Sequence, residues 1–181
     1  MSLLPIVIAP DRRLKARCLP VERIDDNLHA MIQNMLETMY DAPGIGLAAP
    51  QIGSDKRVIV VDVAREGQDK QPYCMVNPHI TWKSDEYVMM NEGCLSLPDI
   101  FIDIERPEKI RLTYLDEREE PRELEADGLL SRCIQHEIDH LDGVLHVDYL
   151  SRIKRELILR KLAKQKPTLM AERAERRATA E

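Results

Sequence analysis

Between Asp127 and Gly143 the sequence carries a segment that few folds can satisfy. Leu129, Leu130, Cys133, Ile134, Ile138 and Leu141 recur at helical offsets, Asp127 is placed to cap the helix, and Gly143 suits a left-handed terminus. Within this buried pattern stand His136 and His140. Two histidines four positions apart lie one above the other on a helix face, so their imidazoles converge on a single cation. Glu137, beside the first histidine, then sits near cation-bound solvent without being a ligand, the placement a general base needs. The plainer alternative is a surface helix with two unremarkable histidines, and it is weakened by the apolar residues that bury much of the segment. The chain has to fold around a metal-binding helix.

A chain of 181 residues fits one domain, or one domain with an appendage. Hydrophobic residues at 44% and charged residues at 32% exclude a disordered chain and a collagen-like repeat. No apolar run approaches a membrane span, and the first eleven residues do not read as a secretory signal, with Pro5 interrupting their apolar stretch. Cys18, Cys74, Cys94 and Cys133 are too scattered for a disulfide framework, which points to a cytoplasmic chain with thiols free for other chemistry. The net charge of −6 hides an asymmetry. Residues 151–181 carry ten basic and four acidic side chains, so this appendage is +6 and the body, residues 1–150, is −12. Such a balance excludes broad nucleic-acid coating, with no DNA partner expected, and leaves the tail as the part that would meet a polyanion.

The remaining elements follow from periodicity. Leu28, Met31, Ile32, Met35, Leu36 and Met39 form one stripe of a helix capped by Asp25 or Asp26 and stopped by Pro43-Gly44. Gly44 to Gln51 reads as a loop of small residues. Arg57 to Val63 reads as a strand, with shorter strands at Tyr73–Val76, Tyr87–Asn91 and Lys109–Tyr114, and an edge strand at Arg122–Glu125. A last helix starts at Ser151 and ends at Pro167, leaving Thr168 to Glu181 frayed. The order predicts an α+β fold, antiparallel β-sheets packed around the central metal-binding helix, with a C-terminal helix.

Two histidines leave the third ligand open. His136-Glu137-x-x-His140-x-x-Gly143-x-x-His146 spells the metzincin protease pattern. The methionine downstream, Met170, lies in a charged tail poorly suited to a Met-turn. The competing ligand is Cys94, after Gly93 at the end of a strand, which by itself reads as a small buried hydrophobe.

Three separated segments, GIGLAAPQ (Gly44 to Gln51), EGCLSLP (Glu92 to Pro98) and QHEIDHLDG (Gln135 to Gly143), together resemble the signatures of the peptide deformylases in both order and spacing. The resemblance implies metal ligands Cys94, His136 and His140, Glu137 as the acid/base, and Gln51 with the Leu95 N–H as donors to the formyl oxygen. Gly46 contributes to the same pocket, where a hydrogen-bearing formyl carbon needs a close wall. It also implies hydrolysis of the N-formyl group from the initiator methionine of nascent polypeptides. The expected cofactor is one divalent ion, Fe(II) in the cell, with zinc, nickel or cobalt able to substitute. Ile45, Met90, Leu129 and Cys133 are candidates for the methionine slot, and Glu92 is grouped with that pocket. Glu92 resembles the family glutamate that pairs with an arginine, for which Arg106 is the candidate, while Asp139 stays open between holding an imidazole and facing solvent. A basic helix at Ser151–Lys166 is similar to tails that dock on the ribosome. Asp99, the turn at Asp116–Glu119 and His146 depart from the family pattern without touching a ligand.

Overall fold

The computed structural model describes residues 2–64 and 67–180. Among these described residues three α-helices, α1 (Asp26–Asp41), α2 (Gly128–Leu141) and α3 (Arg152–Ala180), combine with seven strands. The strands are β1 (Gly46–Ala48), β2 (Val58–Val61), β3 (Tyr73–Lys83), β4 (Tyr87–Cys94), β5 (Leu97–Pro107), β6 (Ile110–Leu115) and β7 (Pro121–Ala126). Five form an antiparallel sheet in the order β1-β2-β3-β6-β7, and β4 and β5 pair as a separate hairpin. This is the expected α+β architecture.

The apolar run in β2 has a simple cause: its two faces meet different helices. Ile59 and Val61 join Cys133, Ile134, Ile138 and Leu141 of α2, whereas Val58 and Val60 join Leu28, Ile32, Met35 and Met39 of α1. Successive strand residues point to opposite faces, so a strand sandwiched between helices is apolar at every position. The Asp25 carboxylate accepts a hydrogen bond from the Leu28 N–H at 2.9 Å, confirming the cap of α1. Asp127 does precede α2, yet its side chain makes no cap bond. A third cluster, Val7, Leu14, Leu97, Ile102, Ile104 and Leu145, lies beneath the β4–β5 hairpin and is closed by Leu162 of α3.

Several elements extend beyond their sequence boundaries. β3 runs through Asn77-Pro78 because Asn77 adopts a left-handed φ of 53° at a register shift, held by side-chain hydrogen bonds to both Val21 N–H and Val21 C=O at 2.8 Å. β4 continues past Gly93 to Cys94, with the Phe101 ring covering the bare glycine. β5 has no counterpart among the strands expected from periodicity, and the Gly44–Gln51 loop holds the short strand β1 and the start of a 3-10 turn, Ala49–Ile52. The C-terminal helix does not end at Pro167: α3 passes through it to Ala180. The missing N–H costs an interior helix ~3 kcal/mol, offset by α3 docking Leu162 and Leu169 on the third cluster. Among the described residues no helix is long and apolar enough to cross a membrane.

Candidate metal centre

Helix α2 presents His136 and His140 inward from one face, and the hairpin delivers Cys94 at the last position of β4, where it pairs with Leu97 across the turn Leu95–Ser96. The donor atoms of Cys94, His136 and His140 all lie within 4.8 Å of one another. Cys94 Sγ is 3.3 Å from His140 Nε2. A tetrahedral ion with metal–sulfur and metal–nitrogen bonds of ~2.3 and ~2.0 Å requires donors roughly 3.5 Å apart, so this thiol and two imidazoles fit a divalent cation. His146, the ligand of the alternative reading, is not in the converging group. Its Nε2 is instead 3.2 Å from the Ile100 carbonyl, and its ring packs 5.9 Å from that of His136.

The imidazoles are set by a buried ionic network. Glu92 Oε2 lies 3.0 Å from His136 Nδ1, which leaves His136 Nε2 for the cation. Arg106 grips the same carboxylate in bidentate fashion at 2.7 and 3.0 Å, and Arg132 Nη1 adds a third contact at 2.7 Å. Burial alone would raise the pKa of Glu92, but hydrogen bonds from His136 and Arg106 outweigh it and hold it near 2. Asp139 holds no imidazole; partly exposed on the outer face of α2, it accepts hydrogen bonds from Arg106 Nη1 and Tyr149 OH, both at 2.8 Å. Burial opposes a charge on His136, yet hydrogen bonds to Cys94 and Glu92 keep its pKa well above the usual imidazole range. Burial and the adjacent His136 push that of His140 well below.

Glu137 is 4% exposed, and its Oε2 has no hydrogen-bond partner. Burial pushes its pKa up to about 7, against the lowering effect of His136. Gly46 lies directly against it: a Cβ there would approach Cys133 Sγ to 2.7 Å and Glu137 Cδ to 2.9 Å. Gln51, 1% exposed, is aimed by the Ala48 N–H, which donates to its Oε1 at 2.8 Å. Its Nε2 then points toward Ser96 Oγ at 3.3 Å and Cys94 Sγ at 3.7 Å.

These groups open into a cavity of about 440 Å³ lined by Ile45, Gly46, Gln51, Cys94, Leu95, Leu129, Cys133, His136 and Glu137. Met90 is not brought there. It pairs with Ile104 one step farther down the hairpin, outside the lining, because the strand bends only beyond Glu92. Glu92 does reach the cavity, but its carboxylate is spent on Arg106, Arg132 and His136 and has nothing left for a ligand. Arg132 lies outside the three signature segments, and Gln135 opens the third of them with no role read from its position. Arg132 stands four residues before His136, on the ligand face, and that spacing was the available signal. Gln135 ties α2 to the end of β5 by donating to the Pro107 carbonyl at 2.9 Å.

A half-buried thiol and two buried imidazoles around one ion position, beside an unpartnered carboxyl group and a carboxamide donor, define a metal-dependent hydrolase. Residues 3–156 match the family described as polypeptide deformylase. The chain is 52% identical to a peptide deformylase of Methylocella silvestris over 91% of its own length and 85% of that protein. It is also 52% identical to one of Phenylobacterium zucineum over 91% and 97%. The fold is similar to the crystal structure of peptide deformylase from Ehrlichia chaffeensis, with a TM-score of 0.87, 41% identity, and coverage of 92% of this chain and 98% of that one. The same enzyme solved in complex with actinonin gives a TM-score of 0.87 at 43% identity, over 91% and 98%. The chain belongs to the polypeptide deformylase family.

Proposed function

We propose that Cys94, His136 and His140 hold the divalent ion, and that Glu137, Gln51, the Leu95 N–H and Gly46 form the reacting pocket. The family's reaction is the chain's: hydrolytic removal of the N-formyl group from the initiator methionine of newly made polypeptides, with release of formate. The observation carrying the residue roles is the unpartnered Glu137 carboxyl group beside the converging Cys94, His136 and His140.

A cation in this donor set would supply Lewis acidity, lowering the pKa of bound water and polarising a carbonyl. Glu137, with its raised pKa, accepts the proton of the attacking water and passes it to the departing amine nitrogen, so that the amine leaves neutral. Gln51 Nε2 and the Leu95 N–H donate to the formyl oxygen as negative charge develops on it, and removing one such donor costs ~3 kcal/mol of barrier lowering. Gly46 lets the wall approach a carbon that bears only hydrogen. Ile45, Leu129 and Cys133 supply the apolar surface for an unbranched side chain.

Fe(II) is the ion we assign in the cell, with zinc, nickel or cobalt able to take its place, since affinity order alone favours the later metals. The compartment we assign is the cytoplasm, and the ribosome is the partner proposed for α3, whose Lys154, Arg160, Lys161 and Lys164 are exposed. The test of the site pairs metal analysis with formate release from a formyl-Met peptide. Glu137→Ala should retain its metal and lose at least ~100-fold in turnover, whereas Cys94→Ser should lose the metal as well. Full turnover in Glu137→Ala would overturn the assignment.

A further inference from the structure

Leu162, Lys166, Leu169 and Arg173 fall at offsets of four, three and four, so they form one stripe along α3, spanning about 16 Å at 1.5 Å per residue. Each attaches to the body. Leu162 and Leu169 pack with Leu97, Ile102 and Leu145, and Lys166 Nζ donates to the Pro10 carbonyl at 3.2 Å and reaches Asp11 Oδ2 at 3.3 Å. Arg173, the last of the stripe, lines the cavity, and its Nη2 donates to the Leu95 carbonyl at 2.9 Å.

That carbonyl belongs to the two-residue turn between Cys94 and Leu97. The turn is held on its other sides too. The Ala9 N–H donates to the Ser96 carbonyl at 2.9 Å, Gln51 Nε2 donates to Ser96 Oγ at 3.3 Å, and the Leu95 side chain lies over Gly44. The carbonyl of Leu95 is the part of the turn secured from α3. An arginine bound to a carbonyl is a charge-assisted hydrogen bond, stronger than a neutral one and narrow in its geometry.

We infer that Arg173 is a positioning residue: it reaches from the far end of α3 to fix the Leu95–Ser96 turn, and with it the orientation of the Leu95 N–H and the Cys94 sulfur. The C-terminal helix is therefore part of the apparatus that sets the reacting geometry. The inference rests on the roles given above to Cys94 and Leu95. Arg173 itself acts through the turn and needs no contact with the reacting atoms.

The test uses the full-length, metal-loaded protein. Arg173→Ala should lower kcat for formate release about tenfold, leave KM within twofold, and leave the metal content unchanged, the pattern of an interaction needed only in the transition state. Amide hydrogen exchange in the peptide covering residues 93–97 should accelerate at least threefold. Arg173→Lys, which keeps a cationic donor, should recover part of both effects. Lys164→Ala removes an exposed charge from the same helix, off the docked stripe, and should change neither. Unchanged kcat or unchanged exchange in Arg173→Ala overturns the inference, as does a Lys164→Ala variant that reproduces both effects. If the wild-type protein releases no formate, the deformylase reading fails, and exchange at residues 93–97 still decides the clamp.

Discussion

At the scale of single residues, the network around Glu92 shows why this centre is buried. Three positively charged or protonatable groups, Arg106, Arg132 and His136, share one carboxylate, and a buried charge persists only when paired and hydrogen-bonded. His146 shows the opposite strategy. Burial, followed by repulsion from His136, lowers its pKa to about 4, so it is packed as a neutral ring. Its folded pKa is below the unfolded value of ~6.5, so the unfolded chain binds the extra proton. The stability this group contributes is complete above pH ~6.5 and is lost as pH falls toward 4, up to about 3 kcal/mol. His146→Phe should keep the packing and remove that loss. Urea midpoints at pH 7 and pH 4.5 would then converge for the variant relative to the wild type. Much of the centre was legible at this scale because a repeat of four on a helix admits one geometry. Arg132 was not, since an arginine among apolar neighbours reads as a surface residue until its partner across the fold is known.

At the scale of elements, the site is a meeting of three pieces: α2 with the histidines, the β4–β5 hairpin with Cys94, and β1 with Gly46. β1 runs antiparallel to β2, pairing Gly46 with Val61, and this fixes how near the strand passes to Glu137. Gly46→Ala should therefore do two things. Forcing a methyl group against Cys133 Sγ and Glu137 should destabilise the fold by ~1–3 kcal/mol, and displacing Glu137 should cut formate release at least tenfold. Adding Cys133→Ala should recover part of the lost melting temperature without restoring turnover, because the carboxyl group remains displaced. The strands were only half legible. β5 alternates Ile100, Ile102 and Ile104 with outward Phe101, Asp103 and Glu105, but Pro98 and Pro107 at its ends obscured the period. Met90 falls outside the cavity for a related reason: which residue of a hairpin faces a cavity depends on where its register shifts, here between Glu92 and Cys94.

For the whole molecule, the charge asymmetry reads as an acidic body with a basic appendage, and the packing makes α3 a structural partner of that body. Ile158, Leu159, Leu162 and Leu169 complete the cluster containing Val7, Leu14, Leu97 and Val147. Pro167 concealed this, because a proline reads as a helix end unless tertiary contacts on both sides outweigh its cost. Removing the chain after Leu150 would expose that apolar surface. At ~1.5–3 kcal/mol per buried leucine, the loss should reach several kcal/mol and lower the melting temperature by roughly 10 °C or more. Weak ribosome binding by the truncated protein would thus confound unfolding with lost charge. Lys154→Glu, Lys161→Glu and Lys164→Glu together avoid this, since all three side chains are exposed and none belongs to the packed stripe. The triple variant should keep the wild-type melting temperature within about 2 °C and release formate from a short formyl-Met peptide at the wild-type rate. Its binding to ribosomes should weaken and depend less steeply on salt, because fewer counterions are displaced. Ribosome binding and salt dependence equal to the wild type would move the contact off this basic face.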